Sequence, residues 1–207
     1  MISENHWNKL RGLDVIDTER RSLSEYNPET QSYRLRILNR HYDISPAKRS
    51  VKLAESFPHQ SPEFYLQLTA VNYLIGAKDL PLIGKWTAET QFPSGSLFFR
   101  GPHTMPTHKL EKAFGRNQDG FASLSLSQGG KIVDGGDCAC DFFFFPRLPV
   151  RLILWLADDE FPARMIFLFD RSADQHFKLD GLWAVGKALA NLLLQNVLKT
   201  NEKNFST

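Results

Sequence analysis

Two groups of carboxylates and one histidine carry the chemistry this chain offers. Asp134, Asp137 and Asp141 form the first group; Asp158, Asp159 and Glu160 form the second, with Asp170 and His176 following. Close carboxylates repel and raise one another's pKa, which is how acid–base pairs and divalent-cation sites are made. The same residues also serve as ordinary solvated turn formers. His176 lies six positions after Asp170 and two after Asp174, so it reads either as a general base oriented by one of them or as a residue bonded to backbone beside a helix. Cys138 and Cys140 would share one side of a strand and offer two thiolates to a soft metal, or be a buried, inert pair. Their spacing is tighter than that of common zinc sites and the further ligands are missing, so no metal is assigned. Arg147 stands between Pro146 and Pro149 at a strand junction, placed to pair with Asp137 or Glu160 or to hold an anionic ligand. No nucleophile elbow, P-loop or dinucleotide fingerprint occurs.

The elements that must position these residues are legible around them. Residues 142–145 are four phenylalanines; 150–156 and 163–169 are almost wholly apolar. Runs this short, bounded by Pro, Asp and Gly, read as three consecutive antiparallel strands, buried on both faces and covered by helices. In such a meander Asp137 and the turn 158–160 belong to one end of the sheet. Residues 33–37 and 41–45 alternate and give an N-terminal hairpin turning at Asn39-Arg40. Ser61-Pro62-Glu63 marks the start of a helix through Phe64, Leu68, Val71 and Ile75, stopped by Gly76. Leu182, Val185, Leu189, Leu193 and Val197 mark the buried stripe of a last helix. Trp7, Leu10, Leu13 and Ile16 predict a short N-terminal helix, Thr107 and Asn117 cap two more, and 81–99 reads as an ordered aromatic loop or a lid. The expected organisation is an N-terminal helical extension (1–26), one α+β domain (27–200) and a frayed tail (201–207).

Four blocks together resemble a known family. They are the paired short strands from Tyr33 to Ile44; Tyr73-Leu74-Ile75-Gly76-Ala77 followed by Gly84-Lys85-Trp86; Gly136-Asp137 leading to Phe145-Pro146-Arg147-Leu148-Pro149; and Trp155 through Asp158-Asp159-Glu160-Phe161-Pro162 to Leu168-Phe169-Asp170 and His176. They are similar to the bacterial and archaeal domain-of-unknown-function 3786 family, over nearly the whole chain after about Ser24. The resemblance implies no reaction and no catalytic residue. Some members are joined to iron–sulfur-binding segments, which implies a link to anaerobic redox or corrinoid metabolism. This chain has no four-cysteine cluster motif.

The 207 residues are 42% hydrophobic, with 25 basic and 23 acidic side chains and a net charge of +2. That balance, without a basic block, disfavours nucleic acid. The N-terminal residues carry no apolar signal core, no run reaches membrane-spanning length, and two cysteines fit a reducing cytoplasm. Two functions stand. One is an accessory protein binding a small molecule or a protein partner in a groove lined by Trp86, Phe92, Arg147 and Trp155, with Asp137 and Glu160 as polar handles. The other is a hydrolase-like enzyme using Asp137, Asp158, Glu160 and His176, around a hard divalent cation. The cofactor and the oligomeric state are left open, and the aromatics of 81–99 are a candidate subunit interface.

Overall fold

The computed structural model describes residues 1–54 and 62–204, with side chains through residue 195. Two helices come first, α1 (Glu4–Arg11) and α2 (Val15–Ser22). Gly12 ends α1 where one continuous stripe is expected, and Asp14 starts α2 by accepting the Asp17 N–H at 2.8 Å. The break turns Ile16 into solvent, while Trp7 and Leu10 stay in the same buried cluster as the sheets. The segment expected as an extension is therefore part of the core.

Strands β1 (Glu25–Asn27), β2 (Ser32–Ile37), β3 (Arg40–Ser45) and β4 (Ser50–Leu53) form an antiparallel sheet in sequence order. The β2–β3 hairpin pairs Ile37 with Arg40, so the turn is Leu38-Asn39, one residue earlier than the sequence suggests. Helix α3 (Phe64–Gly76) follows; Glu63 caps it, accepting the Leu66 N–H at 3.1 Å. Ser61, expected as that cap, lies outside the described residues.

The segment 81–99 is more regular than its composition implies. It holds β5 (Trp86–Ala88), a 3-10 turn and α4 (Gly95–Phe98). Helices α5 (Thr107–Phe114) and α6 (Gln118–Ser127) come next, the second capped by Asn117 as expected. Strands β6 (Lys131–Val133), β7 (Cys138–Phe145), β8 (Leu148–Trp155) and β9 (Arg164–Asp170) join β5 in a second antiparallel sheet of order β5-β9-β8-β7-β6. After α7 (Ala173–His176), α8 (Leu179–Asn204) closes the chain. It runs into the stretch expected to fray; residues 205–207, like the burial of Val197, lie outside the described residues. The chain is thus an α+β protein whose central meander is β7, β8 and β9, as the apolar runs predict.

That meander is dry on one face, not on both. The register places Cys140, Leu152 and Phe167 side by side, and Phe142, Val150 and Phe169 above them, all fully or nearly fully buried beneath the helices. The opposite face carries Asp141, Arg151 and Leu168 in one row and Ala139, Ile153 and Ile166 in the next. Most of these are only half buried, and Phe143 is 46% exposed. Arg151 makes this face tolerable to water. It grips Asp141 with two bonds of 2.5 and 2.8 Å and lies 4.5 Å over the Trp86 ring. Two charged residues in otherwise apolar runs are the mark of the wetter face, which the apolar content of the runs hides.

The four phenylalanines consequently differ in weight. Phe145 stacks on Tyr73 of α3 at 4.3 Å and on Phe177 at 5.9 Å, with no exposure. We predict that Phe145→Ala costs about 3–5 kcal/mol in urea unfolding and Phe143→Ala less than about 1 kcal/mol. Equal costs would contradict the one-sided burial.

Candidate functional site

The antiparallel meander has two rims, and the candidate residues divide between them. Along β9, six steps of about 3.3 Å separate Arg164 from Asp170, so the rims are about 20 Å apart. Asp137, Trp155, Asp158 and Glu160 belong to one rim; Trp86, Arg147, Asp170 and His176 belong to the other. The sequence correctly brings Asp137 and the 158–160 turn to one end, but His176 lies at the far end. A carboxylate–histidine cluster of Asp137, Asp158, Glu160 and His176 therefore does not assemble. Nor do Trp86, Phe92, Arg147 and Trp155 line one groove: Trp155 is on the opposite rim, and Phe92 is buried edge-on against Phe169.

At the rim that holds Arg147, polar bonding concentrates on one segment. Residues 77–84 leave the end of α3, cross the rim as a strap and enter β5. Arg147 lies at the centre of its anchorage, with its side chain 17% exposed. Its guanidinium donates to the α2 carbonyls of Arg21 at 2.9 Å and Arg20 at 3.3 Å, groups a helix C-terminus leaves unpaired. It also donates to the Leu80 carbonyl at 3.2 Å and the Asp79 carboxylate at 2.5 Å. Its backbone N–H donates to the buried Tyr73 hydroxyl at 3.1 Å. Arg147 thus pairs with Asp79 rather than with Asp137 or Glu160, because its turn is at the wrong end of the sheet for either. Arg20 binds the other Asp79 oxygen at 2.5 Å, and Arg21 donates to the Ala77 carbonyl at 2.5 Å.

Asp170 holds the far end of the strap. Only 3% exposed, it accepts the Ile83 N–H at 3.0 Å and the Gly84 N–H at 2.7 Å, and both the N–H and the hydroxyl of Ser172. Burial alone would raise its pKa; these donors outweigh burial and hold it below the ordinary carboxylate value. His176 holds the near end. Its Nδ1 accepts the Lys78 N–H at 3.1 Å, so the neutral ring carries its proton on Nε2, which is buried without a protein partner among the described residues. Burial lowers the pKa of the ring, and nearby Arg147 adds to this; Asp170 and Asp174 act in the opposite sense. His176 is thus a neutral acceptor rather than a base aimed at a substrate. Beyond Ala77, which is fully buried, the strap's aliphatic side chains are partly exposed: Leu80 38%, Leu82 40% and Ile83 53%. Leu23, the left-handed residue that ends α2, adds a fourth at 54%.

The other rim is simpler. Asp137 accepts the Leu156 N–H at 2.7 Å, and Asp158 accepts the N–H groups of Phe161 at 2.6 Å and Glu160 at 2.9 Å. Those two backbone bonds hold Asp158 below its ordinary pKa. Arg164 lies over Trp155 at 5.4 Å. Beside the turn, α5 and the loop after β8 enclose an open cleft of about 820 Å³. Cys138 and Cys140 share the dry face of β7; burial pushes both thiols up, Cys140 to about 12. Among the described residues no three His, Cys, Asp or Glu side chains gather as a metal site.

Sequence reasoning missed the strap's own residues. Its one signal is the change from Lys78-Asp79 to Leu80-Pro81-Leu82-Ile83-Gly84, four apolar residues too few for an element. Fold and site together define an α+β protein whose most developed feature is a polar-anchored, apolar-tipped segment. The chain belongs to the family described as Domain of unknown function (DUF3786), whose model matches residues 14–192. The match starts ten residues before Ser24 and takes in α2, the strap and every residue that anchors it. Comparisons with curated proteins and with solved structures returned no match. No helix among the described residues is long and apolar enough to cross a membrane.

Two outcomes follow from the anchorage. Arg147→Ala removes four side-chain hydrogen bonds at once, one part-buried and three solvent-exposed, and should cost about 1–3 kcal/mol in chemical denaturation; a cost below about 0.5 kcal/mol would contradict the clamp. The His176 pKa is lower folded than unfolded, so between those two values the unfolded chain binds more protons. Stability should therefore fall as pH drops below about 6.5 and level off beneath the folded pKa. His176→Gln, which keeps an acceptor but cannot titrate, should lack that component when the two pH–stability curves are subtracted.

Proposed function

We propose that this chain is an accessory protein that binds a protein partner through the strap, whose aliphatic side chains enter an apolar groove on that partner. The observation that carries the reading is the pairing of a fixed backbone with exposed Leu80, Leu82 and Ile83. An untethered loop would fold such side chains onto the core to escape water. Here Arg147, Asp170 and His176 prevent that. A segment already ordered loses little conformational entropy on docking, which is the main advantage of preorganisation. Burying what remains exposed of each aliphatic is worth on the order of 1 kcal/mol. The strap would then act as an anchor within a larger interface rather than as the whole of it. The separation of His176 from the carboxylates also favours binding over hydrolysis.

The test places a photo-crosslinking benzoylphenylalanine at position 82 in the expressing cell and identifies the adduct. The purified partner's affinity is then measured against Leu80→Asp and Ile83→Asp. We expect one dominant protein adduct and at least about tenfold weaker binding by either variant, with unfolding midpoints unchanged. Adducts no more abundant than from an exposed position on α1, or affinity indifferent to both variants, would refute the reading.

A further inference from the structure

The cleft on the rim opposite the strap has a construction of its own. One wall is the outer side of α5 and the turn after it, presenting His108, Lys112 and Arg116; the other is the loop after β8, presenting Asp159 and Glu160. All five side chains are exposed, and among the described residues none makes an ion pair or side-chain hydrogen bond. Opposite charges thus line one cavity but do not meet across it. The remaining acids are already engaged. Glu111 accepts the Met165 N–H at 2.9 Å, and Asp158 accepts the N–H groups that shape its own turn.

The walls are fixed to each other at their base. The Ala157 N–H donates to the Gly115 carbonyl at 2.8 Å, and Glu111 ties α5 to β9. At Gly115 the contact is so close that a Cβ there would come within 2.4 Å of the Ala163 Cβ. Phe161 also lines the cleft; it is 66% exposed, and its backbone N–H is held by Asp158. The cleft, about 820 Å³, is open to solvent over much of its extent, so a ligand there would stay partly exposed.

We infer that this cleft binds a short peptide with free termini: its carboxylate at Arg116 and Lys112, its ammonium at Asp159 and Glu160, and an apolar side chain against Phe161. Walls of opposite sign orient a molecule that carries opposite charges at its ends, and they discriminate against one that carries neither. Each contact is solvent-exposed and individually weak, so selectivity comes from engaging both ends at once. The site is separate from the strap and independent of the partner-binding reading.

The test follows the amide resonances of the full chain by NMR during titration with the tripeptide Ala-Phe-Ala, with free termini or acetylated and amidated. We expect shifts confined to residues 108–116 and 157–163 at millimolar peptide with free termini, and binding at least about fivefold weaker for the blocked form. Arg116→Gln and Glu160→Gln, both at exposed positions, should each weaken the free peptide about threefold and leave the blocked peptide unaffected. Equal binding of the two forms, shifts centred elsewhere, or none at millimolar peptide would overturn the inference.

Discussion

Arg147 connects more separate parts of this chain than any other polar side chain described above. Through one guanidinium and one backbone N–H it joins the end of α2, the strap, the β7–β8 turn and Tyr73 of α3. These parts are far apart in sequence. An arginine suits the task because its planar fork presents several donors at once and cannot lose its charge. A lysine could satisfy one or two of the same acceptors but not the set. Asp170 mirrors it from the other end, a buried anion that accepts where Arg147 donates.

The meander explains why chemistry segregates to two ends. Its interior is spoken for: one face is packed under helices, and the other centres on the Asp141–Arg151 pair beneath Trp86. Loops at the rims are what remain free to vary. One rim spends its polar groups on holding a backbone still, which leaves aliphatics outward. The other leaves Lys112, Arg116, Asp159 and Glu160 without ion pairs among the described residues around a cleft. The strand length keeps the two about 20 Å apart.

The α+β class and the central meander were legible because composition and turn punctuation agree over 142–169, where apolar runs are bounded by Pro and Asp. The pairing of Asp137 with the 158–160 turn at one rim followed from topology alone. One-sided burial was not legible, because Phe143, Ile153 and Ile166 are as apolar as their buried neighbours; only Asp141 and Arg151 hinted at it. Strand β5 was hidden because an edge strand of three residues leaves no period to read. The strap was missed for a deeper reason. Its order comes from Arg20, Arg21, Arg147, Asp170 and His176, whose convergence is a property of the fold and of no local pattern. His176 was legible in part: a bond to backbone beside a helix was one of its two sequence readings, but the Lys78 N–H as its partner is set by the fold.

The central claim is that polar anchors, not apolar packing, hold the strap, and amide hydrogen exchange tests it directly. The N–H groups of Lys78, Ile83 and Gly84 donate to buried side chains, whereas none is described for those of Leu80 and Leu82. All five residues are exposed, so accessibility alone would treat them alike. The account predicts protection at 78, 83 and 84 at least about a hundredfold above that at 80 and 82. Equally fast exchange at 78, 80, 82, 83 and 84 would contradict it.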